Sequence, residues 1–221
     1  QENENEQKAI ILDLDGTLLH SDGSISDYTL RILQECKNKG ILVIVATARF
    51  WFKAEKYLNI ILPDYAILAD GTQIYHNMEM LYGYTLEKWQ SKGMIEELLH
   101  ENEAADFVVS IGQKLLCAKQ GIDEKWRCSM DFAEEIDEPV YKIAAILRSY
   151  DEAQRLAERF DCRLYSYRGE DLYGFTSKKS GKHKAIAALG NILEIKSENM
   201  IAFGDDENDY EVLKYCGRGV A

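Results

Sequence analysis

Apolar runs and amphipathic segments alternate near the start of the chain. The runs "AIILDL", "ILVIVAT" and "YAILAD" are almost continuously apolar, which is typical of strands buried on both faces. Between them, "SDYTLRILQECKNKG" and "FWFKAEKYLNI" repeat apolar residues at helical spacing. Strands that alternate with helices in this way predict a parallel sheet covered by helices.

The first predicted helix carries signals at both of its ends. Ser26 is a predicted N-cap residue, and Gly40 is a predicted residue just beyond the last turn. Leu30, Leu33 and Cys36 repeat at helical spacing between them.

From about Thr72 the pattern changes. The pieces "TQIYHNMEMLYGY", "ADFVVSIG" and "KLLCAK" are shorter and alternate, and helices are predicted near 86–102 and 151–160. This pattern is typical of an antiparallel sheet that carries helices, so it predicts a second domain.

After Ser180 the first pattern returns, with a helix in "GKHKAIAALGNI", a strand in "NMIAFGD" and a helix in "ENDYEVLKYC". The simplest organisation is one α/β domain made from both ends of the chain, with an inserted domain between them. The predicted boundaries are 8–82 for the first part of the core, 83–176 for the insertion and 177–221 for the second part.

Composition and charge exclude some partners. The chain has 221 residues, of which 46% are apolar, and a net charge of -12. Without a general positive field, a nucleic-acid partner is not expected. The apolar runs fall well short of the roughly 18 residues that span a bilayer, so no membrane partner is expected either.

The cysteines and the N-terminus bear on location. Five scattered cysteines without a Cys-x-x-Cys pair favour reduced thiols and a cytoplasmic location over a disulfide framework or a zinc site. The N-terminal "QENENEQK" has no apolar stretch typical of a signal peptide, and it is left out of the predicted fold.

Acidic residues follow the first and the last apolar strands. Asp13 and Asp15 follow the first, just before Gly16, and Asp205 and Asp209 follow the last. Ligands of open parallel sheets bind beyond the carboxyl ends of strands, and a side-chain period of two sends Asp13 and Asp15 to the same side. Up to four carboxylates would then meet at one edge. They repel one another unless a cation lies among them, and oxygen-only ligation suits Mg²⁺.

Taken singly, these residues keep other interpretations open. The Asp-Leu-Asp-Gly segment also fits an ordinary turn, although Gly16 is in the wrong place for an EF-hand loop. Thr47 also fits a strand-end hydroxyl or helix cap, and Lys182 a solvated charge on a helix. The segment "GDDENDYEVL" also fits an acidic helix start favoured by the helix dipole.

Four short motifs occur in order: "LDLDGTLL", "VATAR", Lys182 in "GKHKAIAAL", and "FGDDEND". In these motifs the chain resembles the haloacid dehalogenase (HAD) superfamily of phosphatases, and within it the Cof-like members with a type IIB cap. The resemblance spans about 8–221. It implies an α/β fold, with a Rossmann-like parallel sheet core and an inserted α+β cap domain. The roughly 130 residues between Thr47 and Lys182 provide room for that cap.

The resemblance implies a role for each acidic residue. Asp13 would be the nucleophile that forms an aspartyl-phosphate, and Asp15 the general acid and then the base. Asp13, the backbone carbonyl of Asp15, and Asp205 would hold Mg²⁺, with Asp209 positioning a metal-bound water or supporting the ligands. The implied reaction is magnesium-dependent hydrolysis of a small phosphorylated metabolite, a sugar phosphate in particular.

The other motif residues are implied to bind substrate. Thr47, Lys182 and Asn208 would hold the phosphoryl oxygens. Arg49, Asp70 and Gly71 would lie on the substrate side.

The sequence also departs from the usual family pattern in several places. Ala48 and His183 each replace a common glycine, and "Asp70-Gly71-Thr72" replaces Asn-Gly-Ala. The chain stops at "GRGVA", where relatives continue into a further strand and helix. The second part of the core is therefore expected to be incomplete, or the sheet to lack an edge element.

Substrate choice would lie in the cap, where aromatic side chains more often belong to the core than contact a ligand. The candidates there are Tyr82, Tyr84, Trp89, Trp126, Tyr165, Tyr167 and Arg168. A phosphosugar mutase of the phosphomannomutase type is an alternative function, and a sensor of phosphorylated ligands without turnover is another. The sequence indicates neither the oligomeric state nor the metabolite.

Overall fold

The computed structural model describes residues 6–101, 106–117, 136–167 and 170–221. The backbone divides into two compact units. The first comprises the residues up to Arg49 together with Lys53–Tyr82 and Gly181–Ala221, and the second comprises Phe50–Phe52 and Gly83–Ser180. The predicted domain boundaries stay predictions.

The elements of the described residues are numbered in chain order. The strands are β1 (Ala9–Leu12), β2 (Leu42–Ala46), β3 (Tyr65–Leu68), β4 (Gln73–His76), β5 (Glu79–Gly83), β6 (Phe107–Ile111), β7 (Lys114–Cys117), β8 (Lys142–Ile146), β9 (Cys162–Ser166), β10 (Leu172–Ser177), β11 (Met200–Phe203) and β12 (Arg218–Val220). The helices are α1 (Asp27–Asn38), α2 (Trp51–Ile61), α3 (Lys88–Glu101), α4 (Tyr150–Arg159), α5 (Lys182–Ile192) and α6 (Tyr210–Tyr215).

Within the described residues, the first unit holds a seven-stranded sheet in the order β12-β11-β1-β2-β3-β4-β5. The strands from β12 to β3 are parallel, and β4 runs antiparallel to β3. The antiparallel pattern that begins at about Thr72 therefore starts inside the first sheet. At the opposite edge, the last residues form β12, so the sheet has an edge strand beside β11.

The central strands of this sheet are buried on both faces, as their apolar runs predict. Ile11 and Ile44 pack in one core with Ile186 of α5 and Val212 of α6. The alternate position Val43 is also buried, and α1 contacts β2. The prediction of a sheet covered by helices is confirmed.

The predicted signals at the two ends of α1 are confirmed. The backbone N–H of Thr29 donates to the Ser26 hydroxyl at 3.0 Å, which satisfies a donor of the first turn. Gly40 follows the helix with a φ of 75°, the left-handed conformation that glycine adopts most readily.

In the part of the chain that the structure describes, the second unit has an antiparallel sheet with the two helices α3 and α4. Within the described residues its five strands lie in the order β7-β6-β8-β10-β9. Met94 of α3 and Leu156 of α4 pack with Ile143 and Phe175 in a single core. This arrangement confirms the predicted α+β architecture of the inserted region.

The cysteine prediction is only partly confirmed. Cys36, Cys162 and Cys216 are free thiols, but Cys117 is disulfide-bonded. The expectation of reduced thiols is therefore wrong at Cys117, because an odd count does not exclude a pair that folding brings together. The cytoplasmic location stays a prediction. Among the described residues, no helix has the length and apolar character needed to span a membrane.

Candidate active site

The carboxyl ends of β1 and β11 bring three aspartates together. Asp13 follows β1, and Asp205 and Asp209 follow β11. One carboxylate oxygen from each of the three lies within 4.8 Å of the others. The two strands are parallel neighbours, and the Asp13 N–H continues their pairing by donating to the Phe203 carbonyl at 3.1 Å. The pairing of β1 with β11 thus brings the residues of this acidic cluster together at the carboxyl ends of the two strands.

Lys182 lies among these carboxylates. It is the first residue of α5, and its ammonium is 2.7 Å from Asp13 Oδ1 and 2.7 Å from Asp209 Oδ1. Only 4% of its side chain is exposed. The alternative interpretation of Lys182 as a solvated charge is therefore wrong.

Burial and charge act in opposite directions on these groups. Burial raises the pKa of Asp13 to about 6, although the nearby Lys182 ammonium favours its ionised form. Burial alone lowers the pKa of Lys182, but the carboxylates of Asp13 and Asp209 raise it above its ordinary value. Lys182 therefore stays a cation.

The charge balance of the cluster fits a divalent cation. Three ionised carboxylates against one ammonium leave an excess of two negative charges. All the ligand atoms that the cluster offers are oxygens, which suits a hard cation such as Mg²⁺.

Gly16 makes room for one of the three carboxylates. Its φ is 76°, and a Cβ at this position would lie 2.1 Å from Asp205 Oδ2. The Thr17 hydroxyl donates to Asp205 Oδ1 at 3.2 Å. The turn at Gly16 thus allows Asp205 to approach the loop after β1.

Asp15 lies outside the acidic cluster. Strand β1 ends at Leu12, so the period of two that predicts Asp13 and Asp15 on the same side does not continue. Instead, 57% of the Asp15 side chain is exposed. Arg49 binds its two oxygens through Nε at 2.7 Å and Nη2 at 2.6 Å. The cluster therefore contains three of the four predicted carboxylates.

Two predicted phosphate-binding residues lie at strand ends. Thr47 follows β2 and is buried, and its hydroxyl accepts a hydrogen bond from the Arg49 backbone N–H at 3.2 Å. Asn208 lies in the short turn Glu207–Asp209 after β11, directly before the buried Asp209. Their roles stay predictions.

A strained turn at Ala69–Gly71 links β2 to α5. Ala69, Asp70 and Gly71 have consecutive positive φ values of 50°, 58° and 84°. The Ala69 N–H donates to the Arg49 carbonyl at 2.9 Å. A Cβ on Gly71 would lie 2.5 Å from the backbone nitrogen of Lys182. Asp70, predicted on the substrate side, is fully buried. The sequence pattern does not predict these contacts of the turn with Arg49 and with the start of α5.

The remaining candidates are those predicted to set substrate choice, of which Tyr82 lies in the first unit and the other described ones lie in the second. Tyr82 and Trp89 are exposed, Tyr84 and Tyr167 are half-buried, and Tyr165 is buried. Trp126 and Arg168 lie outside the described residues. Contact of any of them with substrate stays a prediction.

The sequence profile of the haloacid dehalogenase-like hydrolases matches residues 10–221. The chain belongs to this family. This membership confirms the resemblance seen in the four motifs. It also agrees with the arrangement of three of them, since "LDLDGTLL", Lys182 and "FGDDEND" meet in the acidic cluster.

Two curated relatives of this hydrolase come from Bacillus subtilis. The 5-amino-6-(5-phospho-D-ribitylamino)uracil phosphatase YitU is 26% identical, over 96% of this chain and 85% of its own. The phosphatase YwpJ is 27% identical, over 97% of this chain and 88% of its own. Both relatives are named phosphatases.

Solved structures share the fold of this hydrolase. A haloacid dehalogenase-like hydrolase from B. subtilis has a TM-score of 0.83 at 23% identity, covering 97% of this chain and 89% of the other. A HAD subclass IIB sugar phosphatase has a TM-score of 0.82 at 20% identity, covering 97% and 87%. These likenesses confirm the predicted α/β fold with its inserted domain.

The raised pKa of Asp13 predicts a pH-dependent stability of the metal-free protein. In the folded state this pKa is about 6, above its ordinary value of 3.8, so the folded protein binds more protons between those values. The free energy of unfolding should therefore fall as the pH rises from about 4 to about 6. Asp13→Asn should remove this fall, because its amide does not titrate in this range. Thermal unfolding in a chelator across this pH range measures it, and parallel curves for the two proteins would contradict it.

The close approach at Gly71 predicts a large effect of one methyl group. Gly71→Ala should destabilise more than Gly40→Ala, because only at Gly71 would the new Cβ meet backbone atoms of Gly181 and Lys182. Gly40 is the matched control, since it has a φ of 75° and nothing within 4 Å. We expect a difference of roughly 1–3 kcal/mol in the free energy of unfolding from urea titrations. Equal losses would show that only the backbone conformation matters.

Proposed function

We propose that this hydrolase is a magnesium-dependent phosphatase that acts on a small phosphorylated metabolite, a sugar phosphate in particular. The observation that carries the proposal is the acidic cluster with Lys182 at its centre, 2.7 Å from both Asp13 and Asp209. A buried ammonium beside a carboxylate nucleophile and an oxygen-only metal site is suited to phosphoryl transfer.

In the first step, the Asp13 carboxylate attacks phosphorus while the bond from phosphorus to the leaving oxygen breaks. Asp15 gives its proton to that oxygen, so the product leaves as an alcohol. Asp13 then carries the phosphoryl group as an aspartyl-phosphate. In the second step, Asp15 accepts a proton from water as the water oxygen attacks phosphorus, and Asp13 is released with inorganic phosphate.

The remaining motif residues would hold the phosphoryl group. Lys182 would balance negative charge on the phosphoryl oxygens as the Asp13 bond forms. Thr47 and Asn208 would donate hydrogen bonds to the same oxygens. Each follows a strand of the same parallel sheet, β2 and β11, as Asp13 follows β1.

The metal site would be formed by Asp13, Asp205 and Asp209, together with the backbone carbonyl of Asp15. The cluster fits Mg²⁺ by charge and by ligand type, as described above. When bound, Mg²⁺ would keep Asp13 ionised and offset the charge of the phosphoryl oxygens.

The relatives support a small phosphorylated substrate. YitU is named for a phosphoribityl compound, and a structural neighbour is a sugar phosphatase. The net charge of -12 also favours a substrate held by a few local groups over a large polyanion. A phosphorylated sugar or a closely related polyol phosphate is therefore the substrate class that we propose.

Release of phosphate from p-nitrophenyl phosphate tests the nucleophile. Wild type should turn over this substrate with Mg²⁺ and lose activity in a chelator, whereas Asp13→Asn should be at least about 10³-fold slower. Equal rates for the two proteins would exclude Asp13 as the nucleophile. With sugar phosphates, isomerised product and little free phosphate would favour the mutase instead.

Binding of Mg²⁺ tests the metal site independently of turnover. Asp205→Asn should raise the dissociation constant for Mg²⁺ at least about ten-fold, because the variant loses a charged oxygen ligand. Calorimetric titration, or the rise in unfolding temperature with added Mg²⁺, measures this effect. Glu207→Gln is the matched control, since Glu207 is an exposed acidic residue of the same segment outside the cluster. Unchanged binding by Asp205→Asn would exclude Asp205 as a ligand.

A further inference from the structure

The guanidinium of Arg49 makes a two-point contact with the carboxylate of Asp15. Nε donates to Oδ2 at 2.7 Å and Nη2 donates to Oδ1 at 2.6 Å, so both carboxylate oxygens are held in one plane. Such a two-point contact fixes the orientation of a carboxylate, which a single contact does not. Asp15 needs this support, because it lies beyond the end of β1 with more than half of its side chain exposed.

Arg49 is itself fixed by its neighbours in the first unit. Its guanidinium lies over the ring of Tyr57, 5.0 Å from the centroid, and Nη1 donates to the Lys53 carbonyl at 3.3 Å. Its backbone N–H donates to the Thr47 hydroxyl, and its carbonyl accepts from Ala69. The residue that holds Asp15 is thus anchored at the end of β2, beside the predicted phosphate-binding Thr47.

We propose that Arg49 is a positioning residue for Asp15 and not a substrate-binding residue. The inference rests on the proposed function, in which Asp15 gives a proton to the leaving oxygen and later takes one from water. The contact engages both carboxylate oxygens of Asp15. By fixing the plane of that carboxylate, Arg49 keeps Asp15 directed at the same place in both steps.

A purely structural role explains this contact less well. An ion pair with this much exposure contributes little to the stability of a fold. A role in binding the substrate is also disfavoured, because Nε, Nη1 and Nη2 all donate within the protein. The two-point contact instead favours a role in the reaction, in which Arg49 acts through Asp15.

The basicity of the leaving group distinguishes these roles. p-Nitrophenyl, phenyl and benzyl phosphate have similar shapes, but the leaving oxygen becomes steadily more basic along this series and needs the proton from Asp15 more. In Arg49→Met, kcat/KM for benzyl phosphate should fall roughly 10²-fold or more. For p-nitrophenyl phosphate it should fall less than about ten-fold. Because kcat/KM reports the steps up to release of the leaving group, the later attack of water does not blur the comparison.

Three further variants sharpen the test. Arg49→Lys keeps the charge but lacks the two-point contact, so it should recover only part of the loss on benzyl phosphate. Asp15→Asn combined with Arg49→Met should be no slower on benzyl phosphate than Asp15→Asn alone, because both changes remove one function. Arg159→Met is the matched control, since Arg159 pairs with Glu97 at 2.8 Å in the second unit. It should leave the ratio of the substrates unchanged.

The outcomes separate this inference from the proposed function. Equal losses on all three substrates, a rise in KM alone, or additive effects in the double variant would overturn the role of Arg49 and leave the phosphatase proposal intact. A wild-type protein without turnover of any of the three substrates and of a panel of sugar phosphates would overturn both.

Discussion

The rest of the site depends on the buried ammonium of Lys182. A charge in this position is strongly unfavourable without partners, and Asp13 and Asp209 provide them, each at 2.7 Å. Asp13 comes before the inserted region in the chain, whereas Lys182 and Asp209 come after it. The three charges therefore meet only when both ends of the chain build one sheet, with β1 between β2 and β11. The fold and the site are thus completed by the same interaction.

This arrangement also leaves the site incompletely neutralised. Lys182 balances one of three carboxylates, and the raised pKa of Asp13 reflects what burial and the remaining charge impose. A divalent cation and a phosphoryl group carry charges of opposite sign. The two together would therefore suit such a site better than either one alone. The charge and the oxygen ligands of the cluster therefore agree with the function that we propose.

The sequence predicts well those features that depend on local pattern. Continuous apolar runs mark the buried strands, Ser26 and Gly40 mark the ends of α1, and the motifs mark the strand ends that meet at the site. It predicts poorly those features that depend on where an element stops or what lies beside it in space. The direction of Asp15 follows from the end of β1 at Leu12 and from Arg49 in the segment after β2.

The same limitation explains the other differences. The strands β4 and β5 follow the alternating pattern of the inserted region, yet they add to the first sheet because the chain turns back directly after β3. The contact of Gly71 with the start of α5 joins residues that are distant in sequence. The periodicity of a short stretch of sequence does not indicate a contact between residues that are far apart in the chain.

Asp13 and Asp15 show how neighbouring residues of one type come to have different properties. Asp13 is buried and forms an ion pair with the ammonium of Lys182. Asp15 is exposed, and both of its carboxylate oxygens accept hydrogen bonds from Arg49. A buried nucleophile benefits from a fixed environment with little water, and a group that exchanges protons with substrate and water needs access to both. Only Leu14 separates them in the sequence, so the difference arises from the end of β1 and from the two cations. The surroundings, and not the motif itself, therefore make the two carboxylates different, as their proposed roles require.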